Sequence, residues 1–200
     1  MPKVLTQADV ADFRERLSET ATRMFANRGP EAFTMRELAG ELGVSAMTPY
    51  RYFRDKDEIL ASVRARAFNR FADALELAIS APGDAPQKAA SVFEAYIAFA
   101  FGEPAAYRLM FDLSQPGEEG YPEVVEATRR ARATMTEYVR LLVAEGLLSG
   151  DPDLMGYVFW SALHGAVVLQ LAGKLDPKYD FRTITGEAFR ALSQSYAPRQ

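Results

Sequence analysis

The sequence predicts an all-α protein of about nine helices, with an N-terminal three-helix helix-turn-helix head and a C-terminal helical body. Three observations carry that expectation. Apolar residues recur at spacings of three and four along most of the 200 residues, and no stretch shows the period-two alternation of a half-buried strand. Proline- and glycine-bearing breaks divide that pattern into helix-length pieces. Residues Thr34–Phe53, TMRELAGELGVSAMTPYRYF, carry start, stop and restart signals for two short helices joined by a tight turn. With 48% apolar residues, the chain is long enough for one large or two small domains with real cores.

The elements follow in order. A first helix places Phe13, Leu17, Ala21, Met24 and Phe25 on one face. The second starts at Thr34, whose hydroxyl caps it while Glu37, three residues on, reaches back to the capping residue's N–H. Met35, Leu38, Ala39 and Leu42 form its packing face. Gly43 can take the left-handed conformation that stops it, Val44 packs inward, and Ser45 offers a new N-cap. A third short helix then runs toward Phe53, and a longer one spans Lys56 to about Ser80.

APGDAP, Ala81–Pro86, is the clearest break in the chain. A helix follows to about Phe101, and Pro104 opens the next at a first-turn position that tolerates proline. SQPGEEGYP, Ser114–Pro122, reads as an acidic loop. A long helix then reaches about Leu148, another starts near Pro152, and a last one follows LDPKYDF and ends near Tyr196. The expected division is a helix-turn-helix head at 1–55, a linking helix at 56–80 and a body at 81–200.

The third helix exposes small, hydroxyl-bearing, aromatic and cationic side chains rather than a plainly apolar or plainly charged face. Such residues suit a nucleic-acid surface: threonine bonds a base edge or touches a thymine methyl, arginine grips guanine, and tyrosine hydroxyls and lysine reach phosphates. The candidate DNA contacts are Thr34, Arg36, Ser45, Ala46, Met47, Thr48, Tyr50, Arg51, Tyr52 and Lys56. The competing reading is a structural hairpin within an all-α core.

GVSAMTPYRYFRDKDEIL, Gly43–Leu60, resembles the recognition segment of the tetracycline-repressor (TetR) family of bacterial transcription factors. The upstream NRGPEAFTMRELA is similar to that family's entry into its second helix, and the resemblance covers roughly residues 10–66. It implies a DNA-binding regulator with an effector pocket in the body. Pro49 departs from the pattern, standing where the family usually carries an aliphatic residue. Its missing N–H removes a bond to Ser45, and it biases Thr48 away from α geometry, so the first turn is expected to be loose or shifted.

Charge is biased toward the head. Residues 1–66 hold 11 Lys or Arg against 10 Asp or Glu, and residues 67–200 hold 12 against 17. A near-neutral head relies on placed contacts and on two copies rather than on bulk attraction.

Met155–Gly173, MGYVFWSALHGAVVLQLAG, is 19 residues without a formal charge. That length can span a bilayer. Ser161, His164 and Gln170, an acidic start without a basic flank, and its isolation in a soluble chain favour a buried helix. Apolar character all the way round calls for cover on several sides, which a second subunit supplies. Ser161, Ala162, Gly165 and Ala166 form a small-residue side that suits a dimer partner. Leu169, with Ile184, Ala188 and Leu192 of the final helix, completes the candidate interface of a homodimer. Trp160-x-x-x-His164-Gly165 also resembles a signature of one TetR C-terminal class.

His164 is the only histidine, and it reads as a neutral core residue bonded to a nearby carbonyl or hydroxyl in preference to a ligand contact. Asp112, Glu118 and Glu119 sit on or beside the acidic loop, and no nucleophile and base are paired in the chain. No catalytic residue, metal or cofactor is expected, and the absence of cysteine excludes disulfides and thiolate zinc sites. The effector-pocket candidates are Phe93, Tyr96, Tyr107, Met110, Phe111, Met135, Tyr138, Tyr157, Trp160 and His164. Most are core residues, yet several carry a polar handle on an apolar body, the usual makeup of small-molecule sites.

The expected partners are an operator in double-stranded DNA, a small-molecule effector and a second copy of the chain, with no membrane. MPKVLTQADVADF has acids where a signal peptide needs an apolar stretch, which points to the cytoplasm. The expected role is a repressor released from a palindromic operator by its effector. The rival readings are a small all-α enzyme or ligand carrier whose hairpin is only structural, and a purely structural interaction protein.

Overall fold

The computed structural model describes residues 6–28, 34–111 and 117–198. Asp112 and parts of the predicted acidic loop and of the segment before Thr34 lie outside them. Among the described residues there are eight α-helices and no strand: α1 Gln7–Arg28, α2 Met35–Glu41, α3 Lys56–Ser80, α4 Ala85–Gly102, α5 Pro104–Met110, α6 Pro122–Ala144, α7 Pro152–Leu171 and α8 Phe181–Ser195. Two 3-10 turns, Pro49–Arg51 and Glu118–Gly120, complete the order.

The starts are local chemistry. Thr34 accepts a bond from the N–H of Glu37 at 3.2 Å while Glu37 Oε2 accepts from Thr34 N–H at 2.8 Å, closing the expected capping box. Asp151 and Asp180 cap α7 and α8 in the same way, each accepting from backbone N–H groups of the first turn. The stop of α2 is a left-handed Gly43 at φ 68°, with Gly43 N–H on Gly40 O and Val44 N–H on Ala39 O, both at 3.0 Å.

The expected third helix is corrected by the structure. Residues 46–52 form consecutive turns with one 3-10 turn instead of an α-helix, and this accounts for eight helices against about nine. Ser45 O, which a residue at position 49 would bond in a helix, accepts the N–H of Thr48 at 2.9 Å because Pro49 has no N–H to give. Thr48 itself is α-like at φ −63° and ψ −44°, contrary to the bias expected before proline. The long helix ends at Ala144, earlier than the expected Leu148.

Contacts divide the chain into two units, Met1–Arg70 with Glu103–Thr128, and Phe71–Gly102 with Arg129–Gln200. The core of the first holds Leu17, Ala21, Met24 and Phe25 of α1, Met35 and Leu38 of α2, Phe53, and Ile59, Leu60 and Val63 of α3. Leu109 of α5 joins them, so α5, which falls in the 81–200 segment of the sequence division, groups here with the head. In the second unit α7 packs on α8 and on α4, with Met155, Phe159, Leu163 and Val167 buried. Gly156 admits the backbone of α6: a Cβ built there lies 3.1 Å from Thr136 Cα and 3.2 Å from Met135 O.

Although α7 is long and apolar enough to cross a membrane, it is buried along one side only. Leu154, Tyr157, Ser161, Val168 and Leu169 are exposed. Cover on several sides, expected from its composition, is therefore absent within one chain.

Candidate DNA-binding surface and effector cavity

The segment after Gly43 is held from below. Pro49 is buried, so it keeps the packing of the aliphatic residue it replaces while giving up the backbone donor. Phe53 is buried in the head core, and Tyr52 stacks on Phe13 with ring centroids 4.5 Å apart. Arg14 donates to Tyr52 O at 2.9 Å and lies 4.8 Å from the centroid of the Phe53 ring. Ser45 and Thr48 hydroxyls share a hydrogen bond of 2.9 Å.

What remains outward is Ser45, Ala46, Met47 at 68% exposure, Tyr50 at 48%, and Arg51, with Arg36 exposed on α2. Thr48 is half-buried, and so is Lys56 at the start of α3. Two candidates are committed to structural work: Tyr52 packs on α1, which the sequence did not assign it, and Thr34 spends its hydroxyl on Glu37 at 2.9 Å within the expected capping box. Arg14 was missed, because its role is created by a partner distant along the chain.

The effector candidates divide between the units. Tyr107 and Met110 are buried in the first, where Phe111 packs edge-to-face with Phe68 at 5.8 Å and with Tyr107 at 5.0 Å between ring centroids. Glu118, flagged as a loop carboxylate, pairs with Arg64 at 3.0 Å, while Glu119 is exposed. The others gather in the second unit. Phe93, Tyr96, Met135, Tyr138 and Trp160 line a small apolar cavity together with Val92, Phe159, Leu163 and Phe189, the last four not among the candidates. Tyr157 flanks Trp160 with ring centroids 5.9 Å apart.

The cavity holds about 20 Å³, close to the size of one water. Its polar atoms are chained: Trp160 Nε1 donates to Tyr96 OH at 3.1 Å, and that hydroxyl lies 3.5 Å from His164 Nδ1. Burial pushes the His164 imidazole below its ordinary value and the Tyr138 phenol above its own, so both are held neutral. His164 is thus half-buried with the Tyr96 hydroxyl as its neighbour. Among the described residues no cluster of three or more His, Cys, Asp or Glu is placed to hold a metal.

Residues 17–63 match the bacterial regulatory proteins of the tetR family, and residues 89–192 match the tetracyclin repressor-like C-terminal domain. The chain belongs to the TetR family. TetR-family regulators bind DNA and small-molecule effectors and act as dimers, and they are typically not enzymes. Among relatives, the HTH-type transcriptional regulator Rv0681 of Mycobacterium tuberculosis is 28% identical over 164 residues, 82% of this chain and 72% of that one. The HTH-type transcriptional activator FasR of Mycolicibacterium smegmatis is 28% identical over 131 residues, 66% of this chain and 58% of its own length. A solved structure of a Rhodococcus protein of unknown function superposes with a TM-score of 0.81 at 26% identity, covering 99% of this chain and 100% of the other.

In this TetR-family regulator the N-terminal match spans α2, the turns after Gly43 and the start of α3, the segment that presents Met47, Tyr50 and Arg51. The C-terminal match includes every residue lining the cavity.

Proposed function

We propose that this TetR-family chain is a cytoplasmic homodimeric repressor that binds a palindromic operator and is released by a small-molecule effector held in the second unit. The observation that carries the DNA half is the outward set Ala46, Met47, Tyr50 and Arg51 on a turn locked by buried Pro49 and Phe53. A preorganised turn places contacts without an ordering cost. Arg51 supplies the bidentate base grip, Met47 and Ala46 supply apolar contact to thymine methyls, and Tyr50 and Lys56 reach phosphates.

The exposed side of α7, with Leu154, Ser161 and Leu169 beside half-buried Gly165, supports dimerisation, and Ile184, Ala188 and Leu192 of α8 join it. Ala166 is buried inside its own chain and is left out of that surface. Two heads then meet half-sites roughly 34 to 36 Å apart, one turn of DNA. The cavity is too small for a ligand as it stands, so an effector binds by selecting an opened state. It shifts DNA affinity to the extent that it prefers that state. Residues of α3 belong to both units, which makes this helix the element expected to carry the change. Repression is favoured over activation, the activity in FasR's name, because occupying an operator needs no contact with polymerase.

Selection of bound sequences from a random DNA pool tests the reading: a palindrome is expected, whereas an all-α enzyme or ligand carrier selects none. Tyr50→Ala and Lys56→Ala should each weaken binding of the selected site by roughly tenfold with the dimer intact by sedimentation. Unchanged affinity in both variants would sink the assignment of this surface.

A further inference from the structure

A second, smaller cleft adjoins the apolar cavity of the second unit. Arg132, Met135, Thr136, Tyr157 and Trp160 line it, and Met135 and Trp160 line the cavity as well, so a guanidinium stands one side-chain layer from the apolar space. The arginines of α6 are otherwise committed. Arg130 donates to Glu76 Oε1 at 2.8 Å and to Asp73 Oδ1 at 2.6 Å, and Arg140 pairs with Glu137 and Asp153. Arg132 makes no hydrogen bond or ion pair with any described residue.

The polar chemistry of the site has one sign. No Asp or Glu lines either cleft, and Arg132 carries the sole charge. Two of the other donors are engaged: the Trp160 N–H is on Tyr96 OH, and the Thr136 hydroxyl donates to Ala133 O at 3.2 Å. An anion drawn deep into the cavity would lose its hydration without gaining a charge partner. At the mouth it meets a planar guanidinium, which is weakly hydrated and matches a carboxylate with two parallel bonds.

We propose that the effector is an amphipathic carboxylate, its apolar body among α4, α6, α7 and α8 and its carboxylate on Arg132. This rests on reading the cavity as the effector site. Trp160 is the only tryptophan in the chain and lines both clefts, so its fluorescence reports occupancy directly.

The test titrates the full-length protein with decanoate, decanol and decyltrimethylammonium, following Trp160 emission with helicity by circular dichroism as a check on folding. Decanoate should bind at least about tenfold tighter than decanol, as expected for a charge-assisted pair. In Arg132→Gln that advantage should vanish while decanol binding stays, which also shows the variant is folded, and Arg132→Lys should keep part of it. Equal binding of decanol, tighter binding of the ammonium, or an Arg132→Gln variant with undiminished decanoate affinity overturns the carboxylate assignment and leaves the cavity reading standing. If no probe moves Trp160 emission, the cavity reading itself falls, and this inference with it.

Discussion

Replacing Gly156 by alanine sets two effects of known size against each other. Gly156 lies inside α7, where alanine gains about 1 kcal/mol of helix propensity. Against that, the added Cβ lies 2.6 Å from Thr136 Cγ2, 3.1 Å from Thr136 Cα and 3.2 Å from Met135 O. The methyl can leave only by rotating Thr136, which breaks the hydroxyl bond to Ala133 O at 3.2 Å. The two backbone atoms cannot move without α6. Overpacking of this kind costs roughly 1–3 kcal/mol, occasionally more, and two main-chain neighbours put this site at the upper end of that range. The net expectation is a loss of about 1–2 kcal/mol, a fall of roughly 2–8 °C in Tm for a chain of this size. Thermal unfolding by circular dichroism measures it, with Gly186→Ala in α8 as control, since a Cβ there meets nothing within 4 Å. Adding Thr136→Ser should recover part of the loss, because it removes the closest contact and leaves the other two. A Gly156→Ala variant at or above the wild-type Tm would show that α6 and α7 are not in close approach.

Two further outcomes follow from the head and from the histidine. Thr34→Ala removes a cap from a helix of only seven residues, so it should cost about 1 kcal/mol and speed amide exchange in α2 measured without DNA; unaltered exchange there contradicts the capping box. Burial lowers the folded-state pKa of His164 below its ordinary 6.5, so the unfolded chain binds the proton more readily. Stability should therefore be complete above that value and decline as pH falls through it. As the only histidine, His164 should own that slope, and His164→Gln should flatten it in urea midpoints taken across pH 5.5–8. An identical slope in the variant assigns the decline to other groups.

The sequence by itself determined what depends on residues within a turn or two of each other. The Thr34–Glu37 box, the Gly43 stop, the proline starts of α5 and α7, and the apolar face of α1 are of this kind. Each is a contest between neighbouring donors, acceptors and backbone angles, so the chain order states the answer. The motif after Gly43 was legible in the same way, and Pro49 marked where it would deviate.

Only the tertiary structure decided which side chains are spent on packing and which face outward. Pro49 turns inward and cancels the α-helix, and Tyr52 is taken by Phe13 and Arg14 of α1. Tyr107, Met110 and Phe111 go to the head's unit, although they read as one aromatic pool with Phe93 and Trp160. Arg132 is distinguished from Arg130 and Arg140 by the carboxylates the fold brings to the others, not by anything in its neighbours. Burial and pairing are settled by residues far apart in the chain, and hydrophobic spacing names a face without naming what covers it.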